Sequence, residues 1–177
     1  MSSAVPPGPR TPGRYTIAVV CLGNICRSPM AHVVLEAEVD AAGLADRVEV
    51  LSAGTADWHE GKPMDRRAAA TLTTHGYDAT RHRAQQVPPS WLTEHDLVLA
   101  MDHSNLSDLH ELLEDPDGHG EVDRVRLFRD FDPLATADER EVPDPYYGED
   151  DGFEHVLRMV RRTSAALVAA VGEQLSR

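Results

Sequence analysis

The run Tyr15-Thr-Ile-Ala-Val-Val20 is β-branched and continuously apolar toward its end, which predicts a strand buried on both faces. From Pro29 onward the pattern changes: Ala31, Val34, Leu35 and Val39 recur at three- and four-residue spacing, so a helix follows. Val48 to Leu51 reads as a second short strand, and Arg66 to His75 as a helix stopped by Gly76. A helix-like Ser90-Trp-Leu-Thr precedes a third strand, Asp96 to Met101, with Trp91 assigned to the core. Ser104 is the expected cap of a helix ending at Leu113, since Leu106, Leu109, Leu112 and Leu113 share one face. Arg124 to Phe128 predicts a fourth strand. A long last helix starts at Asp150 or Asp151 and buries Val156, Leu157, Val160, Leu167, Val168 and Val171. Strands alternating with helices predict an α/β fold, a parallel sheet covered on both faces, with a ligand at the carboxyl ends of the strands.

Length and composition narrow this further. With 177 residues the chain fits one domain. Residues 1–14 hold four prolines and two glycines with almost no apolar content, which predicts a disordered extension ahead of a domain spanning 15–177. That extension lacks the apolar core of a secretory signal, and no apolar run approaches the ~20 residues needed to cross a bilayer. A net charge of −13 argues against nucleic acid or anionic lipid as partner. Two cysteines fit a reducing compartment, so the expected location is cytoplasmic, with export lacking a signal peptide left open.

The most informative stretch follows the first strand: Cys21-Leu22-Gly23-Asn24-Ile25-Cys26-Arg27-Ser28-Pro29. Gly23 has no Cβ and Asn24 tolerates positive φ, so the loop is expected to curl with its amides inward. Inward amides and a helix N-terminus form an anion cradle. Arg27 adds a planar fork for two phosphoryl oxygens. Cys21, at the floor, is a nucleophile facing a bound phosphoryl group. Ser28 is expected to cap the helix and to offer its hydroxyl to the Cys21 sulfur.

This segment resembles the signature of the low-molecular-weight protein tyrosine phosphatases. The resemblance continues in Ser52-Ala-Gly-Thr-Ala-Asp-Trp-His59, in His75-Gly76, in Leu99-Ala-Met-Asp102 and in Asp144-Pro-Tyr-Tyr-Gly148, in family order from Tyr15 to the C-terminus. It implies a four-stranded, flavodoxin-like doubly wound domain and a cysteinyl-phosphate mechanism needing neither metal nor cofactor. It makes Asp144 the general acid of the first step and the base of the second. Protonation matters here because a tyrosyl oxygen, whose conjugate acid has a pKa near 10, is a poor leaving group. Trp58, Tyr146 and Tyr147 become aromatic walls for a phenyl ring. Asn24, Ser28, Ser52 and His82 become a hydrogen-bond set supporting the loop, and His75 a helix-end residue. Cys26 becomes the partner of a reversible disulfide with Cys21 that shields the nucleophile; the alternative is a passive small side chain.

The implied substrate is a phosphotyrosine-containing protein or peptide and the product inorganic phosphate, with the chain a monomer or weak dimer. Two rivals share the fold. Arsenate reduction needs further cysteines, and only Cys21 and Cys26 exist. In the family that the chain resembles, threonine at the position of Ile25 goes with phosphoarginine, whereas an apolar branched residue there goes with phosphotyrosine, so the resemblance implies the aryl ester. The nine histidines suggest no metal cluster, and His103, His110 and His119 are expected on a solvated surface.

Overall fold

In the computed structural model Tyr15–Cys21 forms β1, with every residue but Thr16 buried. The structure describes residues 4–113, 122–149 and 151–177; His119 and Asp150 lie outside them. Successive side chains of a strand alternate between faces. Tyr15, Ile17, Val19 and Cys21 accordingly join one apolar cluster, and Ala18 and Val20 another. Helices α1 (Arg27–Ala41), α2 (Arg66–Thr74) and α5 (Asp151–Leu175) cover the first face. On the second lie α3 (Trp91–Glu94), which buries Trp91 and Leu92, and α4 (His103–Leu112), which buries Leu109.

Strands β2 (Val48–Gly54), β3 (Leu97–Ala100) and β4 (Val125–Leu127) complete a four-stranded sheet of order β2-β1-β3-β4. All pairs are parallel, as the alternation of strands and helices predicts. From β1 the chain passes to β2 on one side, while β3 lies on the other. A crevice therefore opens at the carboxyl end of β1, where doubly wound sheets bind ligands. Cys21 is the last residue of that strand and pairs in register with Gly54.

Several local expectations differ from the structure. Helix α1 begins at Arg27 with Cys26 as its N-cap and no capping side chain; Ser28 lies inside the helix and turns its hydroxyl toward Cys21 instead. Asp102, not Ser104, caps α4 by accepting from the Asn105 amide at 2.8 Å. Leu112 is partly exposed, so only part of the predicted leucine face is buried. The fourth strand is three residues long, because Phe128–Phe131 winds into a 3-10 turn. There Arg129 donates to Asp132 at 2.8 Å and to the Glu141 carbonyl at 2.9 Å, and Arg162 of α5 donates to both oxygens of Asp132. This buried network ties the turn to α5 and anchors the segment leading to Asp144.

Residues 4–14, expected to be disordered, run along the amino ends of the strands, opposite Cys21. Tyr15 Oη donates to the Pro7 carbonyl at 2.9 Å and Gln174 to the Pro6 carbonyl at 2.6 Å. The Arg10 amide donates to Asp96 at 2.6 Å, and Arg47 to the Gly13 carbonyl at 3.2 Å. The ordering comes from these polar partners together with burial of Pro6 and packing of Ala4 on the core, and prolines have little conformational freedom to lose on being ordered.

Candidate active site

A planar trans peptide directs its N–H opposite to the preceding C=O. In the loop after β1, the carbonyls are bonded outward. Those of Cys21 and Leu22 accept from the Thr55 and Ala56 amides at 2.9 and 3.0 Å, and that of Ile25 from the Asp65 amide at 2.8 Å. The Asn24 carbonyl accepts from His82 Nε2 at 2.7 Å. The amides of Leu22, Gly23, Ile25 and Cys26 are thereby turned into the curl. Immediately beyond, α1 presents a first turn without a capping side chain, a helix end that attracts anions.

Asn24 is the one described non-glycine residue with positive φ, at 56°, so asparagine rather than Gly23 takes the left-handed turn. Its side chain also holds the curl: Nδ2 donates to Ser28 Oγ at 2.8 Å and Oδ1 accepts from the Gln85 amide at 3.0 Å. Since Ser28 Oγ accepts from Asn24, its own proton faces two acceptors, Cys21 Sγ at 3.0 Å and the Ala53 carbonyl at 3.4 Å, of which the sulfur is the nearer. The Asn24 amide is 3.3 Å from the same sulfur. Two donors thus aim Sγ into the cradle.

Beside this loop β2 ends at Gly54, where a Cβ would sit 2.7 Å from the Leu22 carbonyl oxygen and 3.1 Å from the Asn24 nitrogen. Only glycine lets the strand seat the curl at this distance. Ser52, expected in the supporting set, faces elsewhere: its hydroxyl is 3.1 Å from His32 Nδ1. It reaches the loop only indirectly, its carbonyl accepting from the Gln85 side chain at 3.1 Å.

The Arg27 guanidinium is buried, and one of its terminal nitrogens donates to Asp102 at 2.6 Å and to the Val142 carbonyl at 3.1 Å. Burial works against its charge, but Cys21, Asp102 and Asp144 outweigh it and raise the pKa above the usual arginine value. The other terminal nitrogen lies 3.6 Å from Asp144 Oδ2. Asp144 Oδ1 accepts from the Tyr146 amide at 3.0 Å, an Asx turn that points the carboxylate over the cradle.

Cys21, Arg27 and Asp144 line one cleft, with Trp58, His59, Tyr146 and Tyr147 around it. Trp58 and Tyr147 are 67% and 91% exposed, and the two tyrosine rings meet edge to face at 4.9 Å. Cys26 also borders the cleft; burial, then Asp65 nearby, push its thiol well above the ordinary value, and both cysteines are free.

Sequence reasoning assigned no role to Asp102, Gly54, His59 or Gln85. A signal existed for Asp102, a carboxylate just past the carboxyl end of the strand beside β1. The Gln85 contact joins residues 61 positions apart and leaves no local trace.

The model of the family described as low molecular weight phosphotyrosine protein phosphatase matches residues 16–177. A low molecular weight protein-tyrosine-phosphatase of Streptomyces coelicolor is 47% identical over 161 residues, covering 91% of this chain and 96% of that protein. Low molecular weight protein-tyrosine phosphatase A of Mycobacterium tuberculosis is 42% identical, covering 91% and 94%. Among solved structures, a protein tyrosine phosphatase from Entamoeba histolytica with Hepes in its active site superposes with a TM-score of 0.80 at 30% identity, covering 90% and 97%.

Proposed function

The chain belongs to the low-molecular-weight phosphotyrosine protein phosphatases, and we propose that it hydrolyses phosphotyrosine in proteins through a cysteinyl-phosphate intermediate, with Cys21 as nucleophile, Arg27 as phosphoryl clamp and Asp144 as acid and base. The observation that carries this reading is the convergence of Cys21 Sγ, the Arg27 fork and the Asp144 carboxylate on one cleft whose floor is a ring of inward amides.

In the first step Sγ attacks phosphorus while the bond to the tyrosyl oxygen breaks. Asp144 delivers its proton to that oxygen, and an S–P bond remains. In the second, Asp144 takes a proton from water, the resulting oxygen attacks phosphorus, the S–P bond breaks and inorganic phosphate leaves. Amides and Arg27 surround the equatorial oxygens, where charge develops, and need no rearrangement to do so. The contact of Arg27 with Asp102 and Val142 leaves its other nitrogens for phosphate, and a bidentate fork suits that geometry. Trp58, Tyr146 and Tyr147 offer faces for the phenyl ring. Ile25, also on the cleft wall, supports an aryl ester over phosphoarginine.

The test compares wild type with Cys21→Ser on phosphotyrosine, phosphoserine and phosphoarginine peptides. Hydrolysis confined to phosphotyrosine, lost in Cys21→Ser while inorganic phosphate still binds, is the expected result. Turnover surviving in a clean Cys21→Ser preparation removes the cysteinyl intermediate, and preference for phosphoarginine removes the substrate class.

A further inference from the structure

Arg67, in the first turn of α2, lies outside the cleft yet touches the loop that carries Asp144. Its position is fixed from three sides. Asp65, the N-cap of α2, accepts from Arg67 Nε and from a terminal nitrogen, both at 3.1 Å. That same terminal nitrogen donates to the Tyr146 carbonyl at 3.1 Å. The guanidinium carbon sits 5.5 Å from the centre of the Tyr146 ring and 4.8 Å from that of Phe153 in α5, both within cation–π range. Asp65 is in turn bonded through its amide to the Ile25 carbonyl of the cradle.

These contacts form one chain from the cradle to the acid. Ile25 holds Asp65, Asp65 holds Arg67, Arg67 holds the backbone and ring of Tyr146, and the Tyr146 amide holds Asp144 Oδ1. Pro145 already restricts the backbone between Asp144 and Tyr146. The remaining freedom of the carboxylate is set by how firmly Tyr146 is kept, and Arg67 grips Tyr146 at both backbone and side chain. Lysine has the charge but neither the fork nor the flat face for this arrangement.

Resting on the assignment of Asp144 as general acid, we infer that Arg67 is a positioning residue for proton delivery: it aims Asp144 at the leaving oxygen through Tyr146 without touching substrate. The consequence is specific to leaving groups. Proton transfer matters for a phenol that departs poorly and little for one that departs readily. A misaimed acid therefore slows only the former, whereas a damaged cradle slows both.

The experiment measures kcat and KM on aryl phosphates graded by leaving-group pKa, for wild type, Arg67→Ala, Arg67→Lys, Asp144→Asn and the double variant Arg67→Ala/Asp144→Asn. General acids contribute about 10²–10⁴-fold, and misplacement forfeits part of this. Arg67→Ala should lose on the order of tenfold in kcat with the poorest leaving groups and little with the most activated. Inhibition by inorganic phosphate should be unchanged. Arg67→Lys should fall between, and it carries the same comparison if the alanine variant does not fold. In the Asp144→Asn background, removing Arg67 should cost nothing further. A loss equal across the series, or one that persists in that background, overturns the inference while a graded loss in Asp144→Asn alone leaves the acid assignment standing. A flat loss in Asp144→Asn overturns both.

Discussion

His82 shows how one side chain couples the cradle to pH. The Asn24 carbonyl can only accept, so Nε2 of His82 carries the proton in their 2.7 Å contact. Burial, outweighing that hydrogen bond, lowers its pKa from 6.5 to about 4. Between those values the unfolded chain binds a proton that the folded one does not, so stability falls as pH drops from about 6.5 to about 4. Denaturant midpoints measured across that window should decline in wild type and decline less in His82→Gln, whose amide keeps a donor without titrating. Equal slopes assign the acid sensitivity elsewhere. Asp132 acts lower: Arg162 and Arg129 outweigh burial and bring it to about 2, so its contribution is present above the ordinary carboxylate range and fades toward pH 2.

Strand β2 and the loop after β1 work as a pair, since Gly54 lets them lie against each other. Gly54→Ala places a methyl group against the Leu22 carbonyl and the Asn24 nitrogen, both backbone, so the loop must shift. Overpacking of this kind costs about 1–3 kcal/mol. Urea unfolding should show that loss, and inorganic phosphate should inhibit the variant more weakly; wild-type inhibition would mean that β2 does not seat the cradle. At this level much was legible in the chain. β1, α2 and α5 follow from period and punctuation, and the loop from the residue types between β1 and α1. The helix starts were less so. Ser28 reads as a cap by local chemistry, but a sulfur at 3.0 Å claims its hydroxyl. Asp102 bonds Arg27 across 75 positions, and nothing in residue spacing encodes such a pair. Ser52 was misplaced for the same reason: its partner His32 is on the neighbouring helix, 20 positions away.

Across the whole molecule, chemistry and anchoring sit at opposite ends of the sheet. The cleft lies at the carboxyl ends of the strands, and residues 4–14 lie along the amino ends, held through Tyr15, Asp96 and Gln174. Deleting residues 2–12 removes these bonds, each contributing about 0.5–1.5 kcal/mol. At this size each kcal/mol moves Tm by about 2–4 °C. Thermal unfolding should therefore occur several degrees lower, while kcat/KM at 25 °C matches wild type. An unchanged Tm would return the segment to the passive extension that its composition suggests. Composition missed the contacts because their polar partners come from elsewhere in the chain.

The outward-bonded carbonyls of the cradle carry one more consequence. Their partners stand at 55, 56, 65 and 82, and the carboxylate above them at 144. During synthesis Cys21 and Arg27 leave the ribosome together with Asn24 and Ser28, but before the residues at 55, 56, 65 and 82 that turn the cradle's amides inward and before Asp144. A chain that stops short of residue 144 thus carries the sulfur without the carboxylate that the proposed mechanism requires.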